Sequence, residues 1–469
     1  MKFPGRRLRQ VGVALAALAA ATAVLCLDFV DHRPYFRESY YTETAARERE
    51  ARGTGGVVRG GLEAGFGVVR LTPTINASQD DPAKGQFRSI PLAGYGSRRG
   101  KAATGTHDDL HVKAVALRVG ERTLVIVGAD ALIIPFEVAD AATRRLAEEL
   151  KLTREQIYLG ATHTHASLGG WGEGWVAQAF AGGFQPGARV WMAECIVAAV
   201  RAAVADLRPA ALGHGKFAAP EFIRNRLVGE LGRVDPEFSF AVVKQQDGRQ
   251  AVLGSFAAHA TVLPSSLLEF SGDYPGFWQR AIERATGGVG VFLAGSVGSH
   301  SAVAGAKGMA GAERLGQALA QRLLAELPGV QLADTIVLGV RGLELALPPL
   351  NLRLTDGLRL RPWLASRILP VRDRTFLQVF RLGGTLWVST PCDYSGELTL
   401  GIKDTLRARG LDAIVTSFNG DYVGYVIPAR YYHLAGYEPR TMSFFGPNLP
   451  DYLDECIRTL ALDLAARPN

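Results

Sequence analysis

The chain has 469 residues, 48% hydrophobic and 21% charged, with a formal net charge of +7. That is ordinary globular composition, ample for a large core. Four of the positive charges, Lys2, Arg6, Arg7 and Arg9, fall before Gln10, and the remainder carries no basic stripe interleaved with aromatics, so nucleic acid is not an expected partner. The cysteines Cys26, Cys195, Cys392 and Cys456 are far apart and form no C-x-x-C pair, which argues against a cysteine zinc site.

Residues 1–10 form a basic flank expected to stay in the cytoplasm. Val11 to Val30 are nearly uncharged, and about twenty residues at ~1.5 Å rise match a ~30 Å hydrocarbon core. This segment reads as a membrane anchor, or as a cleaved secretory signal with a small-residue site near Ala19–Ala23. The apolar run continues through Val24-Leu25-Cys26-Leu27, which favours the anchor. Either way the bulk of the chain is expected on the periplasmic or extracellular side, and secreted if the segment is cleaved. Residues 31–60 are polar and charged and read as a juxtamembrane stalk, part helical. The folded body is expected over residues 61–469.

In the body, Gly65–Thr72 reads as a strand ending at Pro73, followed by an irregular Gly-rich loop over 76–106. The alternating run Val112–Val119 and the apolar run Thr123–Asp130 read as a hairpin. Asp130, at its end, is a candidate for backing a site or capping a helix. Val138 to Leu150 has helical spacing, and Gln156–Leu159 is the next strand. It opens into Thr162-His163-Thr164-His165-Ala166-Ser167-Leu168-Gly169-Gly170. On a strand, residues i and i+2 share a face, so His163 and His165 suit one metal ion or a ligand beside an acid/base group. Residues 172–188 are a Gly- and aromatic-rich loop that lines a pocket, touches a bilayer or packs on the core. Helices are expected over 189–207, 309–327, 397–409 and 451–466, with strands over 336–348, 375–391 and 413–418.

Strand ends recur with polar groups. Phe256-Ala257-Ala258-His259 ends one apolar run, Gly298-Ser299-His300-Ser301-Ala302 follows another, and Pro391-Cys392-Asp393 a third. In α/β sheets, sites assemble at that edge. The pattern predicts one large α/β domain with a mixed β-sheet core flanked by helices. Histidines and a carboxylate from separate strand ends would satisfy zinc, with a position left open for catalysis. There is no G-x-S-x-G elbow, no H-E-x-x-H and no Walker loop. From spacing alone, a metal hydrolase and an exported binding domain both remain open.

Taken together, the motifs resemble the neutral/alkaline non-lysosomal ceramidase family over roughly residues 62–447. Thr162–Gly170 is similar to that family's T-H-T-H-S-G-P-G-G segment, and Phe256–His259 to its F-A-x-H. Ser271-Gly272-Asp273-Tyr274-Pro275-Gly276 fits S-x-D-x-x-G, and Asn225-Arg226 resembles the N-R of N-R-S-P. Gly420-Asp421-Tyr422-Val423-Gly424-Tyr425, with Tyr437-Glu438 beyond it, is similar to the segment that bears a metal-binding tyrosine. The resemblance implies a Zn2+ site at the strand ends with ligands His163, His259, Asp393 and Tyr425. Glu397 is the alternative carboxylate, because the family has Glu in P-G-E. His165, Arg226 and Tyr437 would stabilise an oxyanion or hold the substrate, and Ser301 would be the nucleophile. Here the family's G-D-x-S-P is Gly298-Ser299-His300-Ser301-Ala302. The acidic residue and the proline are absent, and Ser299 is a rival for Ser301. The family's C-terminal immunoglobulin-like domain is expected to lie outside this chain.

The implied activity is zinc-dependent hydrolysis of an N-acyl amide of a ceramide-like lipid, with lipid and membrane as partners. The alternatives are a metal-dependent hydrolase of another amide or ester using metal-bound water, and a membrane-tethered binding protein without catalysis.

Overall fold

The strand Val57–Arg70 is long enough to serve two sets of neighbours. Its first residues pair antiparallel with Thr335–Ala346, and from Leu62 onward it pairs antiparallel with His111–Val119. Glu63 and Ala64 also meet the start of Arg208–Ala218. The sheet therefore branches at this strand. One branch runs through His111–Val119 and Arg122–Ala129 to Ile157–Ala161, which is parallel to its neighbour. The main path runs from Val289–Ala294 through Gln250–Phe256, Glu237–Gln245 and Arg208–Ala218. Beyond the branch point it continues through Thr335–Ala346, Arg374–Leu382 and Thr385–Ser389 to Asp412–Thr416. Parallel and antiparallel pairings mix, as the alternation of hairpins and helix crossovers requires.

The computed structural model describes residues 5–52 and 56–466. Its helices are α1 (Gly5–Cys26), α2 (Ser39–Ala51), α3 (Phe136–Leu150), α4 (Gly174–Ala181), α5 (Pro186–Ala205), α6 (Asp273–Thr286), α7 (Gly308–Glu326), α8 (Pro362–Ile368), α9 (Gly396–Arg407) and α10 (Leu449–Ala466). The short branch folds over the main path, and the two faces share a core of Leu117, Ile126, Tyr158, Leu253, Leu293, Phe380 and Trp387. Two glycines permit that approach. A Cβ on Gly160 would lie 2.2 Å from Leu293 Cδ2, and one on Gly128 would lie 2.6 Å from Val291 Cγ1. Helices cover the outer faces: α3 and α5 over the branch, α6 and α7 over one half of the main path, and α9 and α10 over the other. The expected mixed sheet flanked by helices is present; its doubling over is the added feature, and it gives each apolar face a partner.

Three expectations change. Within the expected 31–60 stalk, Ser39–Ala51 packs on the body as α2, which buries Tyr40, Thr44 and Glu48, and Tyr40 packs edge-on to Tyr452 of α10 at 5.2 Å. The aromatic loop after Trp171 contains α4. The apolar N-terminal helix ends at Cys26 rather than Val30, and Leu27–Phe29 pairs with Leu358–Leu360. Arg9–Cys26 is long and apolar enough to cross a membrane. The first four residues of the basic flank lie outside the described residues.

Candidate metal centre

Each expected ligand follows a strand whose end faces the same rim. Cross-links between these ends hold the rim together: Thr162 N–H donates to Ala129 O, Gly295 N–H to Phe256 O, and Ser417 N–H to Ala294 O. His163 and His165 lie past the end of Ile157–Ala161 rather than on it. His163 instead takes a left-handed backbone, φ +61°, which costs a non-glycine residue on the order of 1–2 kcal/mol. The turn is held in place because the ring stacks on Phe418 at 3.8 Å and Nδ1 sits 2.7 Å from Leu132 O. That carbonyl can only accept, so Nδ1 carries the proton and Nε2 presents its lone pair.

Three imidazoles converge. His163 Nε2 and His259 Nε2 are 2.8 Å apart, and His165 Nε2 lies 3.2 Å from both. His165, expected behind the ligands, is as close to the centre as they are. Burial pushes His163 down to about 3, and burial first, then neighbouring positive charge, holds His165 and His259 well below the usual imidazole range. All three are neutral at pH 7, the form that binds a metal.

Asp393 is the carboxylate at this centre. Its Oδ1 lies 3.9 Å from His163 Nε2 and 3.9 Å from His259 Nδ1, and it is buried without a hydrogen-bond partner. Burial raises its pKa to about 7, opposed by Arg226 and by the Tyr422 hydroxyl. Tyr422 donates to Oδ2 at 2.8 Å. The shorter Asp reaches because its strand pairs in parallel with Tyr425–Val426, which sets Asp393 beside Tyr425. The alternative, Glu397, is engaged elsewhere: Asn225 Nδ2 donates to its Oε1 at 3.1 Å, and Arg430 pairs with its Oε2.

Arg226 donates to the Tyr425 hydroxyl at 2.9 Å and pairs with Glu438 at 2.8 Å. Burial opposes its charge, but Tyr425, Glu438 and Asp393 outweigh that and raise its pKa. The Tyr437 ring lies 5.7 Å from that of Tyr425 and is exposed at the rim. Ser301 is half-buried in the short strand His300–Ala302, paired with Ile223–Asn225. Ser299 is fully buried, and its hydroxyl lies 2.9 Å from that of Ser395. Asp130 bonds Gln279 and the His111 N–H and neither backs this centre nor caps a helix.

Sequence reasoning missed Arg98. Its buried guanidinium donates to the carbonyls of Ala93, His165 and Ser265, and so ties three loops around the histidines. Its only sequence signal was a Gly-rich loop dense in arginine.

A neutral-nitrogen donor set with a buried, partnerless carboxylate oxygen fits a divalent cation of zinc's preferences. Residues 79–305, which carry His163, His165, Arg226, His259 and Ser301, match the family described as neutral/alkaline non-lysosomal ceramidase, N-terminal. Over this stretch the chain is similar to the neutral/alkaline non-lysosomal ceramidases. The match stops short of Asp393, Tyr425 and Tyr437, and is narrower than the 62–447 span expected.

A neutral ceramidase of Mycobacterium tuberculosis is 28% identical over 252 residues, 50% of this chain and 37% of the relative. One of Pseudomonas aeruginosa is 25% identical over 236 residues, 46% of this chain and 35% of the relative. These alignments therefore span little more than a third of the curated relatives. The crystal structure of the Pseudomonas aeruginosa neutral ceramidase is similar in fold, with a TM-score of 0.71, 19% identity, and coverage of 87% of this chain and 75% of that one. A ceramidase complexed with C2 is similar at a TM-score of 0.72 and 18% identity.

Proposed function

We propose that this ceramidase relative is a zinc-dependent amidase that cleaves the N-acyl amide of a ceramide-like lipid. The observation that carries the reading is the convergence of His163, His165 and His259 with the partnerless Asp393 oxygen. His163, His259, Asp393 and Tyr425 would hold the ion, with His165 beside them. Zinc, when bound, would polarise the amide carbonyl and ease deprotonation of a nearby hydroxyl.

The chain's own groups supply the rest. Ser301 is the nucleophile: it is half-exposed, whereas Ser299 is buried and bonded to Ser395. Its Oγ adds to the carbonyl carbon, the amine leaves with a proton, and water then releases the acid. Arg226, Tyr437 and His165 stabilise the oxyanion of the tetrahedral state. Replacing Arg226 by Ala is expected to cost roughly 10²–10³ in rate, the usual loss for one such donor.

Metal analysis of the full chain tests the centre, with about one zinc per chain expected from a single four-ligand site. None, even after reconstitution, would sink the proposal and favour a binding protein. Assay of Ser301→Ala and Ser299→Ala against fluorescent ceramide and short N-acyl amides tests the nucleophile. Full activity in Ser301→Ala rules that serine out.

A further inference from the structure

The helix α1 does not end in a spacer. Leu27–Phe29 follows it directly and pairs antiparallel with Leu358–Leu360. Arg361 N–H donates to Cys26 O at 2.8 Å, and Trp363 Nε1 donates to Leu25 O at 3.2 Å. The last turn of the apolar helix is thus pinned to the start of α8. A flexible tether would let the body tumble above a membrane; a strand pairing with two flanking hydrogen bonds fixes which face turns toward it.

That face presents several large apolar side chains. Phe29 is 75% exposed, Trp175 65%, Leu354 54% and Trp363 49%. Arg367 lies over the Trp363 ring at 5.4 Å. Single exposed apolar residues need no explanation, but Phe29 and Trp363 lie at the end of one uncovered apolar helix, and Leu354 and Trp175 sit on elements next to the strand and helix that hold it. Tryptophan with arginine is also the pairing that settles at the boundary between headgroups and acyl chains.

Pro370, just beyond α8, abuts Gly174 at the start of α4, where an added Cβ would lie 3.2 Å from the proline ring. Between α4 and the segment that follows α8 runs a groove of about 200 Å³, with Val176, Phe180 and Phe444 on its walls and the charged Glu137, Arg189 and Arg372 among them. It reaches Tyr422, the residue that donates to Asp393.

We infer that the face built by Leu27–Phe29, α8 and α4 seats on the phospholipid bilayer that α1 crosses, with the groove beside α4 opening toward it. This rests on reading α1 as a membrane span, and it deepens the proposed function: a lipid amide enters from the leaflet on the side where Tyr422 stands between the groove and Asp393.

The test uses the full chain in nanodiscs of phosphatidylcholine brominated on its acyl chains, read by tryptophan fluorescence. Emission is expected to be quenched relative to discs of unbrominated lipid. Trp175→Phe and Trp363→Phe should each lose part of that quenching, and the double variant most of it. Trp171, Trp191, Trp278 and Trp387 are buried or half-buried and contribute little. Equal quenching in wild type and double variant overturns the inference, as does an unquenched chain or one that stays out of the disc. Loss of self-association in the double variant without quenching would assign the face to a second copy, and also overturns it. Zinc content and hydrolysis of a water-soluble N-acyl amide, measured on the same discs, report the hydrolase reading separately.

Discussion

Tyr422 is not itself an expected ligand, yet its hydroxyl bond sets how the Asp393 carboxylate is held. Its hydroxyl donates to Oδ2 and leaves Oδ1 aimed between two imidazoles. Tyr422→Phe is expected to weaken zinc binding about 10–100-fold, as is usual for outer partners of metal ligands, measured by competition with a chromophoric chelator. Asp393 itself gives a pH signature in the metal-free protein. Its folded pKa is raised to about 7, so the folded state holds a proton that the unfolded state releases near its ordinary value of about 4. The stability this contributes is complete below about 4 and is lost as pH rises through about 7. Asp393→Asn removes the titration. Its melting temperature without metal should match the wild type near pH 4 and exceed it increasingly toward pH 8; a constant difference would contradict the assignment. At this scale the sequence showed which residue types were present, and the motif order picked His163, His259 and Asp393. It did not show His165 at the same distance, because that depends on the left-handed turn at His163.

Among the elements, α9 shows how tightly the rim is built. Gly396 starts the helix, and a Cβ there would lie 1.9 Å from His300 Cε1. His300 is buried between Ser299 and Ser301, so the helix start and the serine turn lock into each other. Gly396→Ala forces one of them to move and is expected to cost about 1–3 kcal/mol, in the range of overpacked cores; urea unfolding measures it. Helix periodicity placed α3, α5, α7, α9 and α10 within a few residues, since each buries one apolar stripe. It failed at α4, where glycines and aromatics imitate a loop; the part-helical reading of 31–60 fits α2, whose charged surface hid only the few side chains it buries.

For the whole molecule, the boundary of the folded body lies upstream of Gly61. Tyr452 of α10 donates to Thr44 of α2 at 2.6 Å, and both Tyr35 and Tyr41 donate to Glu455. A truncation beginning at residue 31 should therefore unfold near the same denaturant concentration as the full chain. One beginning at residue 57 should be less stable by several kcal/mol, given ~1.5–3 kcal/mol for each large apolar side chain that loses its cover. Equal midpoints would restore the free-stalk reading. The amino-acid sequence by itself determined the alternation of strands and helices, the single apolar N-terminal run and the set of polar residues at strand ends, because these follow from local periodicity and residue chemistry. Only the tertiary structure decided that the sheet doubles over on Gly128 and Gly160, that Asp393 rather than Glu397 meets the histidines, and that the apolar helix is bolted to α8. Those outcomes depend on distant backbones approaching within a few ångströms, and no local pattern encodes a distance.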